Sequence, residues 1–432
     1  MTRIFNIKNT KSMSQFFDLQ KERGASFSDV SNTVASIINN IKERGDTALI
    51  EYTNTYDQNN LKIDNLKIEL NQYEDLLKDC DKELYDALVF AHKRIYDYHK
   101  QLLPKNIIYK DNIDTDIELR WNAIDSVGIY VPGGRAIYPS SVLMNAIPAI
   151  VAGVKRIVMA SPSINGVANQ AIIIAAKICG INEFYQIGGA QAIASLAYGT
   201  NTIDKVDMIV GPGNSYVAAA KKQVFGDVGI DMLAGPSEVV IVADSSIKSD
   251  WVIEDLFAQA EHDINAQSIL ITKDHNFASE VEIKINQRIN KIDNDSIMKK
   301  SWKKFGCIII CDDDSEIINL VNEIAPEHLQ LCTKNAKYLS NHISNAGAIF
   351  IGEYTPEAIG DYVVGTNHVL PTLRTAKFSS GLSVIDFMKR TSIVSCNKNN
   401  FNKIAPEAIK IADAEGLVAH AKSLKVRLKD GK

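Results

Sequence analysis

The 432-residue sequence contains no C-x-x-C pair, no H-E-x-x-H, no G-x-G-x-x-G and no long apolar run. Each absence removes a class of function. The longest apolar stretches, such as 146–154, fall far short of the roughly 20 residues a membrane helix needs. The first residues, MTRIFNIKNT, lack the apolar core of a secretion signal. Six cysteines stand at 80, 179, 307, 311, 332 and 396, and those at 179, 307 and 311 lie in apolar runs. Free thiols in a reduced, cytosolic protein are the simplest account. The net charge of −5 gives no electrostatic reason to expect nucleic acid or an anionic membrane as partner. What is present is an ordinary globular composition, 46% hydrophobic and 23% charged. The length allows one large α/β body or two or more domains.

Residues 1 to about 105 read as mostly helical, with apolar residues at helical spacing over 27–44 and 76–102. A polar, glycine-poor passage at 104–125 is the first candidate boundary. Beyond it, short β-branched runs end in glycine turns. Val127-Gly-Ile-Tyr-Val131 enters Pro132-Gly133-Gly134, Phe184-Tyr-Gln-Ile187 enters Gly188-Gly189-Ala190-Gln191, and Val206-Asp-Met-Ile-Val210 enters Gly211-Pro212-Gly213-Asn214. Arg156-Ile-Val-Met-Ala160 belongs to the same series, and a second series contains Glu238-Val-Val-Ile-Val-Ala243, Gln267-Ser-Ile-Leu-Ile-Thr272, 305–311 and Ala348-Ile-Phe-Ile351. Strands alternating with helices predict parallel sheets. Ligands are then expected at the carboxyl ends of the strands. After about residue 380 the strand signal fades, and a helical tail over 406–425 closes the chain.

Several short runs carry chemistry. In Ala325-Pro326-Glu327-His328, Pro326 fits the first position of a helix. The adjacent carboxylate and imidazole could serve as two bases, or mark a solvated helix start. Gln259 and His262, three apart at a helix end, share a face and could form half a zinc shell or a polar helix terminus. Asp361 and His368 fall in a polar, glycine-rich passage, and Glu415 and His420 in a helical tail that could equally be solvated. Asp312-Asp313-Asp314 suits a helix N-cap better than a cation site. The glycine turns could cradle a pyrophosphate or simply serve as the tight turns of any α/β sheet.

Taken together, Ala234-Gly-Pro-Ser237-Glu238, Gln259-Ala-Glu-His262, Ala325-Pro-Glu327-His328, Gly360-Asp361-Tyr362, Gly365-Thr-Asn-His368-Val-Leu-Pro371, Ser380-Gly-Leu-Ser383 and Glu415-Gly-Leu-x-x-His420 resemble the histidinol dehydrogenase family, in its order, from about residue 30 to 422. The resemblance implies an NAD-dependent enzyme with one zinc ion per subunit. It would oxidise L-histidinol to L-histidine through bound L-histidinal, the last step of histidine biosynthesis, in the cytoplasm. It implies an α/β fold with two Rossmann-like parallel-sheet domains lacking the usual glycine fingerprint, plus helical N-terminal and C-terminal segments. The corresponding borders are an N-terminal extension over 1–25, a first domain over 26–105 and 239–380, a second over 106–238 and a C-terminal helical tail over 381–432.

Carried over by position, the resemblance makes Glu327 and His328 the bases and Gln259, His262, Asp361 and His420 the zinc ligands. Ser237, His368 and Glu415 become substrate contacts, joined by His328 and the four zinc ligands, and Tyr130, Gln191 and Asn214 become NAD contacts. It also implies a homodimer in which His420 and Glu415 act across the interface, with no nucleic-acid or membrane partner. A related enzyme acting on another small alcohol would keep the bases and the NAD turns. A zinc hydrolase would use Glu327 without NAD.

Overall fold

The computed structural model describes residues 2–25, 30–57, 59–69, 80–133, 137–163 and 166–429. The chain divides into two units, Met1–Leu102 with Asp125–Phe387, and Leu103–Ile124 with Met388–Lys432. Gly134 and the expected helix starts at 27 and 76 lie outside the described residues.

The first unit holds two parallel sheets. In one, β4 (Ser126–Tyr130), β5 (Arg156–Ala160), β6 (Glu183–Tyr185), β7 (Met208–Val210) and β8 (Gly229–Ile230) take the order β6-β5-β4-β7-β8. In the other, β9 (Glu238–Ala243), β10 (Gln267–Thr272), β11 (Cys307–Ile310), β12 (His328–Cys332) and β13 (Ala348–Ile351) take the order β11-β10-β9-β12-β13. Counted along the chain, both read 3-2-1-4-5, the doubly wound order. The N-terminal strand β1 (Arg3–Asn6) extends the second sheet beyond β11, in a region whose residues read as helical.

These strands are apolar on both faces, which suits a parallel sheet covered by helices. Val240, Val242, Ile269 and Ile271 pack with Phe16, Ile317 and Leu320. Alternate residues Val239, Ile241, Leu270 and Ile308 pack on the opposite face with Leu256, Phe277 and Val281, as the two-residue side-chain period requires. The five-stranded sheet is covered on one face by a cluster that includes Val34, Ile37 and Ile41 of the helix Ser31–Arg44.

The second unit joins β2 (Ile107–Lys110), β3 (Asp116–Ala123) and β14 (Met388–Ser395) in an antiparallel sheet ordered β14-β3-β2, followed by the helices Lys398–Ala414 and Val418–Lys429. A strand, β14, therefore lies past residue 380, where the sequence signal had faded. All four residues of β2 are exposed and β14 is mostly so, and this absence of a buried face removed the alternation that reveals a strand.

Candidate active site

The stretch around Glu327 is not a helix start. The helix Asp314–Ile324 ends there, with Ala325 as a left-handed cap at φ 48° whose N–H donates to Val321 O at 2.7 Å. Pro326, which cannot continue a helix, turns the chain into β12, and His328 is its first residue. Glu238 is the first residue of the neighbouring strand β9, in which Val239 pairs with His328. The two expected bases thus sit at the amino end of β12, beside β9 in the six-stranded sheet, not at a carboxyl end.

Both are buried, at 6% and 4% exposure. Glu238 N donates to Glu327 Oε2 at 2.8 Å, and Glu238 O lies 3.3 Å from His328 Nδ1. Three carboxylates surround the imidazole. Nδ1 is 3.5 Å from Glu327 Oε2 and 3.8 Å from Glu357 Oε1, and Nε2 is 3.5 Å from Asp361 Oδ1 without completing a hydrogen bond. The Phe350 ring lies beside the imidazole, 6.0 Å between centroids.

Burial opposes a charge on His328, but Glu357, Glu327 and Asp361 outweigh it and hold the imidazole well above its ordinary range. Burial pushes the Glu357 carboxyl up to about 8, with His328 pulling the other way. For Asp361, burial is outweighed by His328, and its pKa falls. The charges of these groups act on one another, so they titrate as a set rather than singly.

His328, Glu357 and Asp361 offer ligand atoms all within 4.8 Å of one another, a set that could hold a metal ion. Of the expected ligands, Asp361 belongs to this set. Gln259, 1% exposed at the end of the helix Ser249–Ala260, turns its amide onto Glu357. His262 is exposed just beyond that helix, near enough for its charge to act on Asp361. His368 Nδ1 lies 3.0 Å from Asp361 O, and its Nε2 lies 3.4 Å from Ser141 Oγ. Ser237 directly precedes Glu238 and is half-buried.

Tyr130, Gln191 and Asn214 line the carboxyl edge of the five-stranded sheet. Gly189 N donates to Tyr130 Oη at 3.1 Å, and Gln191 is buried with its side-chain nitrogen unpartnered. Asn214 caps the helix Ser215–Val224 by accepting from Tyr216 N and Val217 N. Gly211 has φ +114°, and a Cβ there would meet Tyr130 O at 2.0 Å. Glu415 and His420 are exposed in the second unit.

Glu357 was not among the expected site residues, although its spacing to Asp361, four residues along one helix, signals a shared face. Asp255 and Gln330 stand behind it. Gln330 Nε2 donates to Asp255 Oδ2 at 2.7 Å, and Glu357 N donates to Gln330 Oε1 at 3.3 Å. No local pattern announced these two.

The family model described as histidinol dehydrogenase matches residues 20–428. A histidinol dehydrogenase from Agrobacterium fabrum is 50% identical over 400 residues, 93% of each chain. Histidinol dehydrogenase 1 from Nostoc is 48% identical over 414 residues, 96% of each. The crystal structure of histidinol dehydrogenase from Elizabethkingia anophelis superposes with a TM-score of 0.91 at 33% identity, over 99% of this chain and 98% of that one. The buried pair Glu327–His328 thus sits in a chain that matches along nearly its whole length, and the chain belongs to the histidinol dehydrogenase family of oxidoreductases.

Proposed function

We propose that this protein oxidises L-histidinol to L-histidine in two successive two-electron steps, with L-histidinal held between them, in cytoplasmic histidine biosynthesis. The observation that carries this reading is the buried pair Glu327 and His328 beside Glu357, Asp361 and Gln259. NAD would accept hydride, and one zinc ion per subunit would hold the substrate's imidazole and amine. Of the residues that would hold the ion, Asp361 belongs to the converging set of His328, Glu357 and Asp361, and the buried Gln259 turns its amide onto Glu357 in the same cluster, oxygen and nitrogen donors that suit a dication.

Gln259, His262 and Asp361, with His420 of the partner subunit, would hold the metal. Ser237, His368 and the partner subunit's Glu415 would contact the substrate, with Glu415 matched to its ammonium. Tyr130, Gln191 and Asn214 would contact NAD. Ile107, Ile108 and Tyr109 are consecutive and exposed on the edge strand β2 of the second unit, and an apolar edge of this kind supports a homodimer that would cover it.

The protein's own residues then move protons. The carboxylates around His328 favour its charged form; a zinc ion held among them would supply positive charge there and so favour the neutral imidazole that a base must be. His328 takes the hydroxyl proton of the alcohol. Glu327, held by the Glu238 N–H, takes a proton from the water that adds to the aldehyde carbon. His328 returns its first proton to the aldehyde oxygen, which completes the hydrate, and then takes a hydroxyl proton of that hydrate as the second hydride leaves. Burial of these groups keeps bulk water from a reactive amino aldehyde. The test is NADH formed per L-histidinol by zinc-replete protein with excess NAD. Two, with no free aldehyde, is expected, and one, with aldehyde released, would overturn the reading in favour of another alcohol as substrate.

A further inference from the structure

We propose that Arg23, on the N-terminal helix Thr10–Ala25, is a positioning residue for Glu327, acting through the start of β9. Arg23 is 1% exposed and far from the site in sequence. Its guanidinium is nonetheless spread over the segment that holds the carboxylate. Nε donates to Asn265 O at 3.0 Å, and Nη1 to Glu238 Oε1 at 3.1 Å and Gln267 Oε1 at 2.8 Å. Nη2 donates to Pro236 O at 3.0 Å and Ser237 O at 3.3 Å. The next group along is the Glu238 N–H, which donates to Glu327 Oε2 at 2.8 Å. The Glu238 side chain is fixed from a second side by Leu373 N at 2.8 Å. One planar fork therefore sets the side chain of Glu238 and the two carbonyls before it, leaving its amide a single direction.

Stability alone does not account for this arrangement. A buried ion pair is on average no more stabilising than apolar residues of the same volume. A guanidinium does have one property such residues lack: five donors in a rigid plane, which fix several acceptors relative to one another. Misplacing a reacting group by about 1 Å can reduce the rate about a hundredfold, so the direction of the Glu238 amide matters where burial energy does not.

The inference rests on the reading of Glu327 as the base that hydrates the aldehyde, and its test separates the two. Arg23→Lys keeps the charge and loses the fork. R23Q/E238Q removes both charges and avoids an unpaired buried carboxylate. With added L-histidinal, either variant should lower kcat about tenfold or more, while the single-turnover rate of the first oxidation of L-histidinol falls less than about threefold. On an E327Q background, Arg23→Lys should produce no further loss, because the group it positions is gone. A merely structural role would slow both steps alike and would slow the E327Q protein as well, and either result overturns the inference. So would full L-histidinal oxidation by the Arg23 variants while E327Q is impaired. If E327Q itself oxidises L-histidinal at the unmodified rate, the base assignment is wrong, whatever Arg23 does.

Discussion

Replacing Lys221 with methionine should destabilise the protein by about 3 to 5 kcal/mol. Lys221 and Asp231 form an ion pair with side chains 3% and 1% exposed. The ammonium donates to Asp231 and, at 2.9 Å, to Gly211 O, while Gly211 N donates to Asp231 Oδ2 at 2.9 Å. Methionine fills much of the volume of the lysine stem, so the loss is electrostatic. It strands a carboxylate in a dry site with a single backbone donor. The double variant K221M/D231N removes that charge, and the asparagine oxygen can still accept from Gly211 N. Only Gly211 O then lacks its partner, a loss of about 1 to 2 kcal/mol. Urea unfolding followed by fluorescence should therefore rank the double variant above the single one, although it carries more changes. Because Gly211 opens the turn that leads to Asn214, KM for NAD should rise in K221M and partly recover in the double variant. A single variant costing under about 1 kcal/mol, or a double variant as unstable as the single, would refute the argument.

Three further outcomes follow from the same geometry. His328→Asn should lower kcat far more than it raises KM, because it removes a proton acceptor used in the transition state; an unchanged kcat would end that role. Asp361→Asn should lower zinc content, read by elemental analysis after gel filtration, and turnover should drop with it; full zinc would exclude Asp361 as a ligand. Burial raises Asp57 to about 6 from 3.8, so the folded protein binds this proton more tightly than the unfolded chain. That contribution to stability is fully present below about pH 4 and is lost as pH rises through about 6. Asp57→Asn, which stays neutral, should melt with the unmodified protein at pH 4 and above it at pH 7, and a gap independent of pH would show that Asp57 does not titrate this way.

The legible parts of the fold were those with a local signature. Glu238–Ala243, Gln267–Thr272 and Ala348–Ile351 are continuous apolar runs, and all three are strands with the bounds their sequence suggests. His328–Cys332 is just as buried, but Pro326 ahead of it reads as a helix start. Only the left-handed cap at Ala325, a tertiary consequence of ending one helix beside its sheet, decides otherwise. Unlike these strands, β2 and β14 lack a buried face, so no alternation marks them. The strand β3 does alternate, with Ile117, Leu119, Trp121 and Ala123 at every second position, but it lies in the passage that reads as a polar boundary. Within the site, Glu327 and His328 were visible as a motif. Arg23 was not, because its partners lie more than 200 residues away and nothing near it distinguishes a buried arginine from a solvated one.

The two sheets share one strand order, yet opposite ends of them hold the two groups of candidate residues, and chain direction supplies a reason. In a parallel sheet with crossover helices, the helix amino termini collect at the carboxyl edge and the carboxyl termini at the amino edge. The former present N–H groups and partial positive charge; the latter present carbonyls and partial negative charge. The proposed NAD contacts Gln191 and Asn214 lie where the helices Gly189–Tyr198 and Ser215–Val224 begin, an environment that favours a pyrophosphate. Gln259 and the segment leading to Glu327 lie where the helices Ser249–Ala260 and Asp314–Ile324 end, an environment that favours cations. A zinc ion and the ammonium of histidinol are both cations. The amino end of the helix Pro139–Ala152, which follows β4, reaches the second group through Ser141 and His368, and Asn367 Nδ2 donates back to Met144 O at 2.6 Å. On the proposed function, hydride acceptor and bases would thus face one substrate from opposite ends of the two sheets, without the glycine fingerprint that a single-sheet dinucleotide site uses.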